Sequence, residues 1–156
     1  MKSAARLPSA TANDVRLLCC GVEYFPALLA AIHAATDVIH LETYIFANDA
    51  TGRQIAQALV DATSRGVSVH VVYDGFGSSA WIGGIDKQLR VGDVKVAVYR
   101  PERGWQLLRR SRLRRMHRKI AVIDGRIAFI GGINLIDDLN MAEPCSPRFE
   151  IGRAHV

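Results

Sequence analysis

The sequence predicts an α/β fold with a mixed β-sheet flanked by helices on both faces. From residue 15 onward, short apolar runs of strand length alternate with segments of helical period, and Gly, Asp or Asn marks each change. Such a β–α–β order favours parallel strands covered by helices. The 156 residues, 49% hydrophobic and 22% charged, are typical of one globular domain and exclude disordered and fibrous chains.

The first elements are a strand, a helix and a second strand. We expect residues 1–14 to be a flexible N-terminal segment and residues 15–20 to form a strand. Residues 24–35 carry apolar side chains at helical spacing, which predicts a helix packed on a sheet. Residues 37–46 are rich in β-branched and aromatic side chains, which is typical of a strand.

The same alternation continues through the middle of the chain. Asn48 or Asp49 can cap a helix over residues 52–64, and Gly66 then ends it. The remaining predicted elements are a strand at 67–73, a helical stretch at 85–89 and a strand at 93–99.

The last elements form a β-hairpin. Residues 117–123 and 126–130 are two short apolar strands separated by Asp124-Gly125. An Asp-Gly pair between apolar runs favours a type I′ turn, because both central residues then need a positive φ.

The positive charge is concentrated in residues 100–119. This segment holds nine basic residues and one acidic residue, a net +8, whereas the whole chain carries +5. Runs of like charge repel one another and are usually solvated or meet an anion. The candidate anions are the phosphates of a nucleic acid, a lipid headgroup or a membrane surface.

Several classes of protein find no support in the sequence. No apolar run approaches the roughly 18 residues of a membrane-spanning helix, and the first residues lack the apolar core of a signal peptide. The three cysteines form no C-x-x-C pair and predict neither a disulfide framework nor a zinc site. A G-x-G-x-x-A loop follows Asp74, but Gly83-Gly84 weakens the helix that a dinucleotide site requires.

His117 and Lys119 are the strongest candidates for chemistry. Two residues apart on a strand, they point to the same side, at the end of the basic segment. A lysine supplies fixed charge to a phosphoryl group, and an imidazole can attack phosphorus or transfer a proton. After a double glycine, where backbone N–H groups can approach an oxyanion, the carboxamide of Asn134 can donate a further hydrogen bond.

These residues form the spaced pattern H-x-K-x4-D-x6-G-G-x-N. Its members are His117, Lys119, Asp124, Gly131, Gly132 and Asn134. With the flanking segments LETYIFANDATG, RGVSVHVVYDGFGS and HRKIAVIDGRIAFIGGIN, the pattern resembles the phospholipase D superfamily, and specifically bacterial cardiolipin synthases.

The resemblance implies a phosphatidyl transfer that uses no metal or other cofactor and makes cardiolipin from phosphatidylglycerol. His117 would attack phosphorus to form a phosphohistidine, and Lys119 would stabilise the phosphate oxygens with help from Asn134, Gly131 and Gly132. Asp124 would orient the site or form the hairpin turn. The implied partners are anionic phospholipid and a membrane surface, and the implied location is the cytoplasmic side of the bacterial cytoplasmic membrane.

One departure from the family pattern predicts a missing partner. The family's site uses two such motifs, one supplying the nucleophile and one the general acid, whereas this chain has a single H-x-K. A single imidazole cannot stand on both sides of phosphorus. We therefore expect residues 15–150 to be the first half of a longer enzyme, inactive by itself, or one subunit of a homodimer.

Residues 151–156 are expected to be a non-native read-through tail. Back-translated as ATC GGA AGA GCA CAC GTC, they look like a sequencing-library adapter read in frame, and we therefore exclude them from the fold prediction. A natural stop codon after Val156 at the genomic locus would contradict this expectation.

Other interpretations stay open. A single-motif phosphodiesterase or endonuclease could dimerise and use the basic segment on nucleic acid, and a phosphate-binding module would leave His117 without a chemical role. His40, Glu42 and Tyr44 share one strand face and either reach the site or form a polar stripe. Several aromatic and apolar residues near the basic segment could either dock on an anionic membrane or pack in the core. They are Trp81, Ile82, Trp105, Leu107 and Leu108.

Overall fold

A computed structural model describes residues 14–80, 82–101, 115–137 and 151–155. Within these residues, one mixed sheet has strands β1 (Val15–Cys19), β2 (Val38–Thr43), β3 (Ser68–Asp74), β4 (Lys95–Tyr99), β5 (Ile120–Ile123), β6 (Ile127–Ile130) and β7 (Ile151–His155). The helices are α1 (Cys20–Ala34), α2 (Ala50–Ser64) and α3 (Ile82–Val91). The predicted α/β class and mixed sheet are confirmed.

The strand order is β1-β7-β6-β5-β2-β3-β4. Strands β2, β3 and β4 are parallel, whereas β5 runs antiparallel to β2. The carboxyl ends of β2 and β3 therefore meet the beginning of β5 at one edge of the sheet. This edge brings together residues that lie far apart in the sequence.

The three described helices pack side by side, α1 beside α2 and α2 beside α3, against one face of the sheet. That face is the core, where β2 contributes Ile39 and Leu41, and β3 contributes Val69 and Val71, all at most 2% exposed. Over the described residues no helix covers the opposite face. Within the residues that the structure describes, the predicted helices therefore lie on one face.

The β5–β6 hairpin turns as predicted. Asp124 and Gly125 have φ of 53° and 62°, and the Arg126 N–H donates to the Ile123 carbonyl at 3.0 Å. These are the positive φ values that a type I′ turn requires.

Strand β5 begins at Ile120, three residues later than predicted. Its ladder with β2 ends at the Glu42–Ile120 pair, because β2 itself ends at Thr43. His117 and Lys119 therefore lie in the segment that enters the strand. The Gly131 N–H holds that segment by donating to the Lys119 carbonyl at 3.2 Å.

Residues 151–155, for which the sequence analysis predicted no element, take part in the sheet. They form β7, which pairs antiparallel with β1 on one side and β6 on the other. Ladder hydrogen bonds use backbone groups, so such pairing does not depend on the origin of the residues. That residues 151–156 are a non-native tail stays a prediction.

Helix termini agree in part with the sequence. Asp49 caps α2, its Oδ1 accepting from the Gly52 N–H at 2.8 Å, and Gly66 follows the helix with φ 92°. Helix α1 begins at Cys20, four residues earlier than predicted. Cys20 is disulfide-bonded, which the sequence did not predict, whereas Cys19 is a free, exposed thiol.

The Asp124 carboxylate ties the hairpin turn to the loop between α1 and β2. Its oxygens accept from the N–H groups of Thr36, Asp37 and Val38 at 2.9 Å each, and from the Thr36 hydroxyl at 3.1 Å. These donors, led by the Thr36 N–H, lower the pKa of Asp124 to about 2.

We predict that Asp124→Asn lowers the melting temperature at neutral pH, because the amide NH2 cannot accept from the loop. The folded-state pKa lies below the usual value near 3.9, so the carboxylate stabilises the fold above about pH 4. This stabilisation is lost as the pH falls toward about 2. The difference in melting temperature between wild type and variant should therefore shrink between pH 4 and pH 2.

Asp93→Asn is the matched control for this measurement. Asp93, which is exposed, also has a positive φ, of 59°, and within the described ranges its carboxylate makes no hydrogen bond. Equal losses of melting temperature in the two variants would contradict the stabilising role of the Asp124 carboxylate. A loss in Asp124→Asn that does not change with pH would contradict it as well.

Candidate active site

His117 and Lys119 lie together at the sheet edge where β2 ends and β5 begins. The Lys119 Nζ is 3.3 Å from the His117 Nε2 and 3.4 Å from the His117 carbonyl oxygen. The imidazole belongs to an exposed residue, whereas Lys119 is only 5% exposed. The pairing that the H-x-K spacing predicts is therefore present.

The contact constrains the imidazole, because an ammonium group only donates hydrogen bonds and a bond from Lys119 therefore requires an unprotonated Nε2. The Nε2 lone pair can attack phosphorus once the ammonium turns from it to the phosphate oxygens, which its positive charge suits. The arrangement fits nucleophilic chemistry on an anionic centre.

Tyr44 forms one wall of the site. Its ring centroid is 5.0 Å from that of His117 and 5.4 Å from the Lys119 Nζ. Of the three polar residues on one face of the second predicted strand, Tyr44 thus reaches the site. Glu42 binds the neighbouring Arg118 instead, with Oε2 2.8 Å from the Arg118 Nε, and His40 stacks on His70.

Asn134 lies at the same edge and links the hairpin to the end of β2. Its Oδ1 accepts from the Ile45 N–H at 3.2 Å, and Leu135 exchanges backbone hydrogen bonds with Ile45 and Ala47. Among the described residues nothing accepts from the Asn134 Nδ2. Its two N–H donors can therefore serve the predicted role of binding a phosphate oxygen. The Gly131 N–H, by contrast, already donates to the Lys119 carbonyl.

Asp124 lies at the opposite end of β5 from His117 and Lys119. It follows the last residue of β5, whereas Lys119 precedes the first, and its carboxylate is used on residues 36–38. Asp124 is therefore a structural residue of the hairpin in this fold and does not touch the imidazole.

Asp74 holds the segment that carries His117, a structural role that the sequence analysis missed. It ends β3 with no exposure, and its Oδ1 accepts from the N–H groups of Phe76 and Gly77 at 2.9 and 3.1 Å. Its Oδ2 accepts from the N–H of Met116, the residue before His117, at 2.8 Å. The sequence signal for this role was an aspartate directly after an apolar strand. A carboxylate buried there needs hydrogen-bond donors from neighbouring segments.

No second imidazole contacts His117 among the side chains that the structure describes, where the other histidines are His33, His40 and His70. The described ranges also contain no cluster of three or more His, Cys, Asp or Glu side chains placed to hold a metal ion.

Comparison with known proteins gives the family. Residues 28–140 match the family described as "Cardiolipin synthase, PLD-like domain". The chain belongs to this family.

Curated relatives of this phospholipase D-like domain are cardiolipin synthases. The chain is 38% identical over 139 residues to cardiolipin synthase A of Pseudomonas putida and 43% identical over 122 residues to cardiolipin synthase B of Escherichia coli K12. These matches cover 88% and 78% of this chain but 28% and 30% of the relatives. The chain thus spans under a third of their length.

Solved structures show the same fold. Nuc from Salmonella typhimurium, a phospholipase D family member, superposes with a TM-score of 0.65 at 18% identity, over 92% of this chain and 82% of that one. NucT from Helicobacter pylori gives 0.64 at 22% identity, over 92% and 86%.

We predict that Asp74→Asn destabilises the phospholipase D-like domain by about 2 kcal/mol, because an amide NH2 would face backbone N–H groups that need an acceptor. Urea unfolding measures this loss. Native-state hydrogen exchange should also show reduced protection of the Met116 amide.

Asp61→Asn is the control for Asp74, since Asp61 is exposed on α2 and its carboxylate accepts only from the Gln57 side chain among the described residues. Its effect should stay within about 0.5 kcal/mol. An Asp74→Asn variant as stable as this control, with the Met116 amide still protected, would show that the carboxylate does not hold the segment.

Proposed function

We propose that this chain is the first, motif-bearing half of a phosphatidyltransferase that forms cardiolipin from phosphatidylglycerol. The observation that carries the proposal is the exposed His117 imidazole with the Lys119 ammonium 3.3 Å from its Nε2, in a domain of the cardiolipin synthase family. The lone-pair nitrogen supplies the nucleophile, and the ammonium supplies charge for the phosphate oxygens.

The reaction proceeds in two displacements. In the first, His117 Nε2 bonds to the phosphorus of one phosphatidylglycerol, the bond from phosphorus to the headgroup glycerol oxygen breaks, and a general acid protonates the leaving glycerol. In the second, the primary hydroxyl of another phosphatidylglycerol bonds to phosphorus, the phosphorus–nitrogen bond breaks, and the same acid, now a base, takes the hydroxyl proton. The products are cardiolipin and glycerol.

The other groups at this edge assist by holding charge and position. Lys119 and the free donors of Asn134 bind the non-bridging oxygens, whose charge grows in each transition state. Tyr44 packs beside the imidazole and limits its rotation. Each group is oriented by backbone contacts before substrate arrives, which lowers the cost of reaching the reactive geometry.

The general acid comes from a second motif. It must lie opposite His117 across phosphorus, and no second imidazole contacts His117 among the described side chains. The chain spans under a third of the length of the cardiolipin synthases that it matches. A protein as long as these relatives has room for a second motif. We therefore assign the second site half to the remainder of a longer enzyme.

We place the enzyme peripherally on the cytoplasmic side of the bacterial cytoplasmic membrane. The basic segment, at net +8 in residues 100–119, suits an anionic lipid surface. No helix in the described ranges has the length and apolar character to cross a bilayer.

A second candidate is a homodimeric phosphodiesterase acting on nucleic acid. It is favoured by the single H-x-K motif and by the basic segment at residues 100–119, whose charge suits a phosphate backbone. A dimer would supply the second imidazole from a second copy.

We predict that the chain transfers phosphatidyl groups between phosphatidylglycerol molecules only when the second-motif half of a related cardiolipin synthase is co-purified with it. His117→Ala should lower this activity at least about a thousandfold and abolish a covalent adduct detected on His117 by mass spectrometry. His33→Ala, at an exposed histidine near the end of α1, should retain full activity.

The same preparations, assayed in EDTA on single-stranded DNA with their mass in solution recorded, separate the two candidates. DNA cleavage by a dimer of the chain alone, lost in His117→Ala, would establish the second candidate. Equal activity of wild type and His117→Ala on lipid would contradict any chemical role for His117.

A further inference from the structure

Beside the site, an exposed aromatic ring carries a guanidinium group. Phe76, in the turn after β3, is 47% exposed, and the Arg115 Cζ lies 4.2 Å from its ring centroid. A position over the ring orders the arginine while leaving its edge donors free.

Phe76 and Arg115 are both held close to the His117 site by neighbouring contacts. Asp74 bonds the N–H of Phe76 through one oxygen and the N–H of Met116, next to Arg115, through the other. A Cβ at Gly77 would lie 2.9 Å from ring atoms of Tyr44, so the turn packs directly on the tyrosine that contacts His117.

Arg115 has a charge that the site leaves available. Of the other cations in this segment, Arg118 is paired with Glu42, and Lys119 lies against His117. Within the described residues no carboxylate pairs with Arg115. A stacked guanidinium with free donors is suited to a phosphate, which it can bind through two parallel hydrogen bonds.

We propose that Arg115 and Phe76 form a subsite for the phosphate of the acceptor lipid, separate from the position of the phosphate that reacts. This inference rests on the proposed function, because transfer between two phosphatidylglycerol molecules brings a second phosphate to the site. The attacking hydroxyl and the acceptor's own phosphate are joined by three carbons. Arg115 is two residues from His117, at most about 7 Å between Cα atoms, which matches this short connection.

Binding of the full chain to lipid vesicles tests the subsite without requiring turnover. All variants carry His117→Ala, so that lipid is not consumed, and are titrated with vesicles of phosphatidylglycerol mixed into phosphatidylcholine. Arg115→Gln should weaken binding about tenfold, and Phe76→Leu, which keeps an apolar residue but removes the ring, about threefold. Arg115→Lys should fall between wild type and Arg115→Gln, because it keeps the charge but loses the planar fork.

Arg126→Gln is the matched control. Arg126 is exposed in the hairpin turn at the far end of β5, and losing its charge should change binding less than about twofold. Equal effects of Arg115→Gln and Arg126→Gln, or no effect of Phe76→Leu, would overturn the subsite.

A single-stranded oligonucleotide serves as the competing ligand. If Arg115→Gln weakened binding of the oligonucleotide but not of phosphatidylglycerol vesicles, the subsite would belong to a nucleic acid and the proposal would be wrong. Because these measurements use no catalysis, absence of transferase activity would contradict the proposed function and leave the binding result standing.

Discussion

The buried Asp74 carboxylate is the interaction on which the geometry of the site depends. One oxygen closes the turn after β3, and the other holds Met116, so a single side chain joins two segments more than forty positions apart. Burying a carboxylate costs free energy unless donors compensate it, and three backbone N–H groups do so here. The segment before β5 has no ladder partner on β2 until Ile120, so this contact places His117 beside Tyr44.

A second carboxylate fixes the opposite end of the same strand. Asp124 bonds the loop that precedes β2, so β5 is held at its entry by Asp74 and at its exit by Asp124. The residue that completes the H-x-K-x4-D spacing therefore lies away from the imidazole. The H-x-K-x4-D spacing therefore corresponds to a short strand with His117 and Lys119 before it and the anchoring Asp124 after it. The three side chains do not meet at one substrate position.

Three cations at the described end of the basic segment, Arg115, Arg118 and Lys119, occupy distinct environments. Lys119 is buried against His117, where its charge acts on the reacting phosphate under the proposed mechanism. Arg118 is paired with Glu42, which alternates along β2 with the core residues Ile39 and Leu41 and so lies on the face away from the helices. The Arg115 Cζ lies over the Phe76 ring, 4.2 Å from its centroid. Net charge alone would have treated the three cations as equivalent.

The sequence by itself determined the α/β class, nearly every element within a few residues, the hairpin turn and the His117–Lys119 pair. These are consequences of local rules: hydrophobic period, glycine and aspartate turn chemistry, and alternation along an extended chain. The tertiary structure alone decided the role of Asp74, the displacement of Asp124 from the site, the use of the Gly131 N–H on Lys119, and the pairing of Phe76 with Arg115. Each of these depends on which distant segments the sheet order brings to one edge, and long-range strand pairing leaves no signal in the spacing of a single segment.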